Sequence, residues 1–284
     1  MIVYRELSSL TQDLQIPAKT LYALINRLDS HYRPQWIPKA SGGFRKLWIP
    51  DPVLKTIQRR ISTVLLAYMP VSPYAAAYRP GCSPRRNGAV HVGKPLVLKV
   101  DILHFFDSIS YSMVKNRAFP QEVYAEPLRI LLTMLCYYKE GLPQGAPSSP
   151  VISNIIFYEL DQQIGHWCSQ RQIQYSRYCD DLTFSGDFSP AQLLAFLEPL
   201  LKGQGFLLNG QKPRSSEGDS SSRLPAWWSM RSWGYRPPTA GSCGRSCITV
   251  KNMALPATFR ESAALQQWRP TAIICWARST MYSA

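Results

Sequence analysis

Three aspartates carry the chemistry that this sequence offers. Asp101 closes the apolar run "PLVLKV", and Asp180 and Asp181 are neighbours in "YSRYCDDLTF". Adjacent like charges destabilise a chain unless a cation or a proton lies between them. The residues around the Asp-Asp pair alternate in polarity, which predicts a hairpin with the pair at its tip. If that hairpin shares a sheet with the strand ending at Asp101, three carboxylates converge at one edge. Such a set suits Mg²⁺, which takes carboxylate oxygens together with substrate phosphates. Two such ions about 3.5–4 Å apart clamp the attacking and leaving oxygens of a phosphoryl transfer. An Asp-Asp pair in a turn is by itself ordinary turn chemistry. An aspartate at the end of a buried apolar strand is harder to account for that way.

The elements that must position these groups follow from periodicity. Residues 5–30 read as helical, with Leu7, Leu10, Leu14, Leu21, Leu24, Ile25 and Leu28 near a 3.6-residue repeat and Pro17 as a break. "WIPKASGGFRKLWIP" (36–50) reads as strand, Gly turn, strand, and "PVLKTIQRRISTVLLAYM" (52–69) as a helix. "PLVLKVDILHFF" (95–106) is a buried strand running into Asp101. "GLPQGAPSSP" (141–150) has too many prolines for regular structure, and a helix over 151–167 follows it. The hairpin comes next, and then an αβ pair over 191–210.

Composition bounds the partners. The chain has 284 residues, enough for one large domain or two modest ones, and 45% are apolar, enough for a core. A net charge of +14 points to a polyanion, most simply nucleic acid. Seven cysteines without paired spacing read as reduced thiols. No apolar run reaches the length of a membrane span, and "MIVYRELSSL" lacks the pattern of a signal peptide, so a cytoplasmic location without membrane contact is expected.

The motifs together resemble reverse transcriptases. "YCDD" is similar to their catalytic hairpin, "VDILHFF" to the strand with the first catalytic aspartate, and "LPQGAPSSP" to the loop that holds template and incoming nucleotide. The resemblance spans residues 5–212 and implies an α+β, right-hand polymerase with fingers (1–95), an RRM-like palm (96–212) and a thumb position (213–284). It implies Asp101, Asp180 and Asp181 as catalytic residues and as metal ligands, with Ile102 counted among the ligands. Two Mg²⁺ ions are implied, with Mn²⁺ as a substitute. "PVSPYAAAYRPGCS" followed by "NGAVHVGKPLVLKVD" resembles the signature of bacterial retron enzymes; Asn87 and His91 fit their N-A-x-x-H pattern, and Gly88 departs from it. The retron resemblance implies a structured non-coding RNA as template and primer, priming from a 2′-OH, dNTP substrates, a cDNA product, an effector protein partner and a role in phage defence. Group II intron-like and diversity-generating enzymes share the same core and stay open as alternatives, as does a non-catalytic RNA-binding remnant.

Around that core, Lys39 and Arg45 flank a Gly-Gly turn from which both can reach a triphosphate. Phe106 matches the family's steric gate, where a ring clashes with a ribose 2′-OH. Gln144 and Gly145 sit where a loop can contact sugar and template base pair. Arg79, Arg85 and Arg86 suit RNA phosphates. His91 reads as a packing or hydrogen-bonding residue, and Cys179 as a small hydrophobe at the variable position of the YxDD box.

After "GFLLNGQK" the character changes. Five of the eight tryptophans fall in residues 213–284, and no helix or strand period is found there. Read one base out of frame, Leu224–Gly234 admits T-G-V-V-V-N-E-V-V-G and Ile274–Ser283 admits L-L-G-K-I-N-Y-V-L, both similar to a retron thumb. The expectation is a frameshift near Lys212–Pro213, a defective thumb, and poor burial of Trp227, Trp228 and Trp233.

Overall fold

The computed structural model describes residues 3–38 and 43–209. Residues 213–284, with the three tryptophans named above, therefore lie outside the described residues, as does Lys39. The order is α1 (Leu7–Leu14), α2 (Ala18–Ile25), β1 (Tyr32–Pro38), β2 (Phe44–Pro50), α3 (Pro52–Arg60), α4 (Pro84–Ala89), β3 (Leu96–Leu103), α5 (Tyr111–Met113), α6 (Glu126–Cys136), α7 (Ser149–Ile156), α8 (Tyr158–Ser169), β4 (Gln174–Tyr178), β5 (Asp181–Gly186), α9 (Pro190–Gly203) and β6 (Leu207–Leu208).

One of the expected helices ends early and another is split in two. The predicted helix 52–69 keeps α geometry only to Arg60 and closes with a wide π-turn, Ile61–Leu65. The helix over 151–167 is two helices meeting at Phe157, whose ring is fully buried between them and the sheet. Leu10, Leu14, Leu21, Leu54, Ile57 and Ile61 are buried, as their 3.6-residue spacing demands. At α3 the Asp51 carboxylate accepts a hydrogen bond from the Leu54 N–H at 2.8 Å, with Pro52 in the first turn, so start and cap coincide.

The central sheet has four antiparallel strands in the order β4-β5-β3-β6. Its two faces differ because side chains alternate along each strand. Leu98, Val100, Ile102, Leu182, Phe184 and Tyr175 lie on one face and are buried. On the other face the pairings Asp101↔Asp181, Lys99↔Thr183 and Ser176↔Thr183 align polar residues. That polar face is closed at one end by His91, whose ring nitrogens contact Ser185 Oγ and Ser176 Oγ at 2.7 Å each. β1 and β2 form a separate two-stranded hairpin.

Candidate active site

The antiparallel register sets the site. Asp101 and Asp181 are direct cross-strand partners, and Asp180 occupies the turn between β4 and β5. Carboxylate oxygens of all three lie within 4.8 Å of one another. The Asp180 carboxyl is pushed up to about 6, by burial first and then by Asp181 and Asp101. The Asp101 carboxyl is also raised by burial, against the hydrogen bond that Asn209 Nδ2 donates to it at 2.7 Å. Lys99 Nζ meets Asp181 at 2.6 Å. Three half-buried carboxylates at this spacing, with one lysine against them, form a donor set that fits divalent cations: hard oxygens, concentrated negative charge, and a destabilised ionised form that a cation would relieve.

The turn itself is held from below. Cys179 has φ 62, the left-handed region, and its carbonyl accepts from Arg177 Nη1 at 3.1 Å. Arg177 is fully buried and also forks onto Asp161, with Nε–Oδ1 at 3.0 Å and Nη2–Oδ2 at 2.8 Å. Tyr175 donates its hydroxyl to the same carboxylate at 2.7 Å. Burial opposes the guanidinium charge, yet the Asp161 carboxylate keeps Arg177 above its ordinary range. Cys179 is thus more than a small hydrophobe, since its Sγ also accepts from Tyr78 Oη at 3.1 Å.

The other predicted residues lie on separate elements. Arg45 on β2 lies close enough to Asp101 to lower its carboxyl pKa, although that is the weakest of the influences on it. Phe106 is not on the strand of Asp101 as expected. β3 ends at Leu103, His104 turns the chain with φ 49, and Phe106 sits in the turn, half-buried. The turn still meets the loop at 141–145, because Leu142 N–H donates to the Phe106 carbonyl at 3.0 Å. Gly145 is required by close approach: a Cβ there would stand 2.4 Å from Ile49 Cδ1 and 2.6 Å from the Trp48 carbonyl. The β1–β2 hairpin therefore rests directly on the loop that carries Gln144.

Arg79 spends Nη1 on the carbonyls of Ser72 (2.8 Å) and Ala75 (3.2 Å), and Arg86 Nη1 bonds the Gly81 carbonyl. Both guanidiniums thus brace their own loop as well as presenting charge. Arg85 lies in α4, and its side chain is outside the described set. His91 is buried, and its imidazole is pushed down to about 4 by burial and by Lys94, as suits a hydrogen-bonding residue. Lys99, Asn209 and the Asp161–Arg177 pair were not singled out from sequence. For Lys99 a signal existed, since it lies two residues before Asp101 and must share its face. Asn209 and Asp161 reach the site only through long-range packing.

The α+β architecture, with a hairpin over a four-stranded antiparallel sheet, is that of a right-hand polymerase. The model of the family described as reverse transcriptase (RNA-dependent DNA polymerase) matches residues 37–214. The retron Mx65 reverse transcriptase of Myxococcus xanthus is 33% identical over 214 residues, covering 68% of this chain and 50% of its own. The retron Ec83 reverse transcriptase of Escherichia coli is 36% identical over 171 residues, 57% of this chain and 55% of its own. The retron Ec86 reverse transcriptase, also of Escherichia coli, is 30% identical over 214 residues, 74% and 67% of the two chains. This chain belongs to the reverse transcriptase family, in its bacterial retron-type branch. It spans about half the length of the first two of these relatives. No helix among the described residues is long and apolar enough to cross a membrane.

Proposed function

We propose that the chain is an RNA-directed DNA polymerase of retron type, extending a primer hydroxyl with dNTPs on a structured RNA. The observation that carries this reading is the meeting of Asp101, Asp180 and Asp181 within 4.8 Å in a chain of this family. These three, with Ile102 beside them, would hold two Mg²⁺ ions or Mn²⁺ in their place. When bound, such ions activate the attacking hydroxyl and neutralise charge on the leaving group. The chain's own residues do the rest. Arg45, with Lys39, draws the triphosphate under the hairpin. Phe106 excludes a 2′-OH, and Gln144 and Gly145 shape the nucleotide's floor. Arg79, Arg85 and Arg86 add attraction for RNA phosphates. Residues 1–95 would then serve as fingers, 96–212 as palm and 213–284 as the thumb position, with cDNA as product and an effector protein as a further partner.

Primer extension on an RNA template, with Mg²⁺ and with Mn²⁺, tests this. Asp181→Asn is expected to lower nucleotide addition by at least about 100-fold while leaving RNA affinity nearly unchanged. Equal loss of both would make the turn structural. A second reading, a non-catalytic RNA-binding remnant, is favoured by the family match ending at residue 214, where the sequence changes character. A folded chain that binds RNA but extends no primer with either ion supports that second reading.

A further inference from the structure

The β1–β2 hairpin has two faces, and only one belongs to the site above. Arg45, Leu47 and Ile49 share the face toward Asp101 and Gly145. On the opposite face, Trp36 pairs with Lys46, and Phe44 and Trp48 flank Lys46 on its own strand. Trp36 is 60% exposed and Phe44 64% exposed, large rings left open to solvent at the outer end. At the inner end Lys46 Nζ stands 4.3 Å from the Trp48 ring centre and 5.7 Å from that of Trp36. Lys139 reaches the same Trp48 ring at 4.2 Å from the turn after α6. Trp48 is fixed edge-on to Tyr138 at 5.2 Å, and Tyr138 is tied by its hydroxyl to Asp29 at 2.7 Å. Rings and ammonium groups therefore alternate along one line, anchored at one end and free at the other.

We propose that this outer face of the hairpin is a platform for unpaired RNA, with bases stacking on Trp36 and Phe44 and phosphates held by Lys46 and Lys139. The alternation argues for this occupant. Open aromatic faces take bases of any sequence, and the cations beside Trp36 and Trp48 meet the phosphates that join them. Trp36 and Phe44 are diagonal neighbours on the ladder, about 7–8 Å apart, so two bases can each find a ring. A duplex hides its base faces and gains nothing from exposed rings. The chain's net charge of +14 gives the long-range attraction. The platform rests on the reading that the chain works on RNA, and it lies apart from the carboxylates.

The test measures binding of a labelled twelve-residue oligouridylate and of a twelve-base-pair RNA duplex to the full chain, in wild-type and Asp181→Asn backgrounds. The second background separates binding from catalysis. Trp36→Ala with Phe44→Ala is expected to weaken oligouridylate binding at least about 10-fold, the scale of one to two lost stacking contacts, and duplex binding less than about twofold. Lys46→Ala with Lys139→Ala is expected to reduce the slope of log affinity against log salt by about 1.4, two phosphate contacts on a single strand. Unchanged thermal unfolding checks that each variant is folded, and the lysine pair keeps the test open if the aromatic pair misfolds. Unaltered oligouridylate binding, equal weakening on the duplex, or a wild-type dimer that the aromatic variant splits would each overturn the proposal.

Discussion

Replacing Asp161 with asparagine isolates the strut under the Asp180–Asp181 turn. Asp161 and Arg177 are both fully buried, and the pair is joined by a two-point fork with the Tyr175 hydroxyl as a third bond to the carboxylate. Asp161→Asn keeps size and some hydrogen bonding but leaves a buried guanidinium without its counter-charge. Breaking one side of a buried pair costs about 3–5 kcal/mol. For a folded region of this size, about 2–4 °C of melting temperature accompanies each kcal/mol, so a fall of about 6–20 °C is expected. The double variant Asp161→Leu with Arg177→Met removes both charges and should recover most of that loss, since well-packed apolar substitutes are nearly neutral. It should not recover primer extension, because the Cys179 carbonyl has lost the Arg177 donor that fixes the turn. Thermal unfolding and extension assays on wild type, Asp161→Leu, Arg177→Met and the double variant, with Asp161→Asn beside them, give both readouts. A melting temperature for Asp161→Asn within about 2 °C of wild type, or simple additivity in the double variant, would refute the strut.

Three further outcomes are expected. Phe106→Val should raise ribonucleotide incorporation relative to dNTPs on one template; an unchanged ratio with activity retained places the ring in the core. His91 titrates near 6.5 when unfolded and near 4 when folded, so its contribution to stability is complete above 6.5 and is lost as pH falls toward 4. Against His91→Gln, wild type should therefore lose about 3 kcal/mol more between pH 7 and 4 in denaturant titrations, and parallel curves would show that the imidazole is not shielded. Restoring the reading frame near Lys212 should raise affinity for a structured RNA and cDNA yield together, and equal yields from the chain as written would remove the frameshift.

The site was legible in sequence where periodicity and chemistry agree. Alternation around "YSRYCDDLTF" and the apolar run into Asp101 both follow from one sheet with one buried face, so the three carboxylates could be brought together without coordinates. Boundaries failed where tertiary packing decides. Phe157 interrupts a helical pattern that never breaks period, because its ring must fill the gap over Phe105 and Phe206. Phe106 leaves the strand because His104 takes a left-handed turn, a conformation that histidine adopts more often than most residues but still only in a small minority of cases. Asp161 and Arg177 are separated by a helix end and a turn, and nothing local says that a buried arginine on β4 will find its partner on α8.

The two faces of the sheet explain why these successes and failures divide as they do. On the helix-covered face the buried Asp161 and Arg177 charges match each other, and the pair reaches through to the backbone of the turn. On the other face the matching is left incomplete. Asp180 has no cation within salt-bridge distance among the described residues, and its carboxyl is pushed up to about 6 by burial and two like charges. Only Asp181 has a lysine and only Asp101 an asparagine. Local rules of charge placement are broken at one point and supported rigidly from behind, which is what a site awaiting cationic partners requires. A sheet edge built for stability alone would carry no such imbalance.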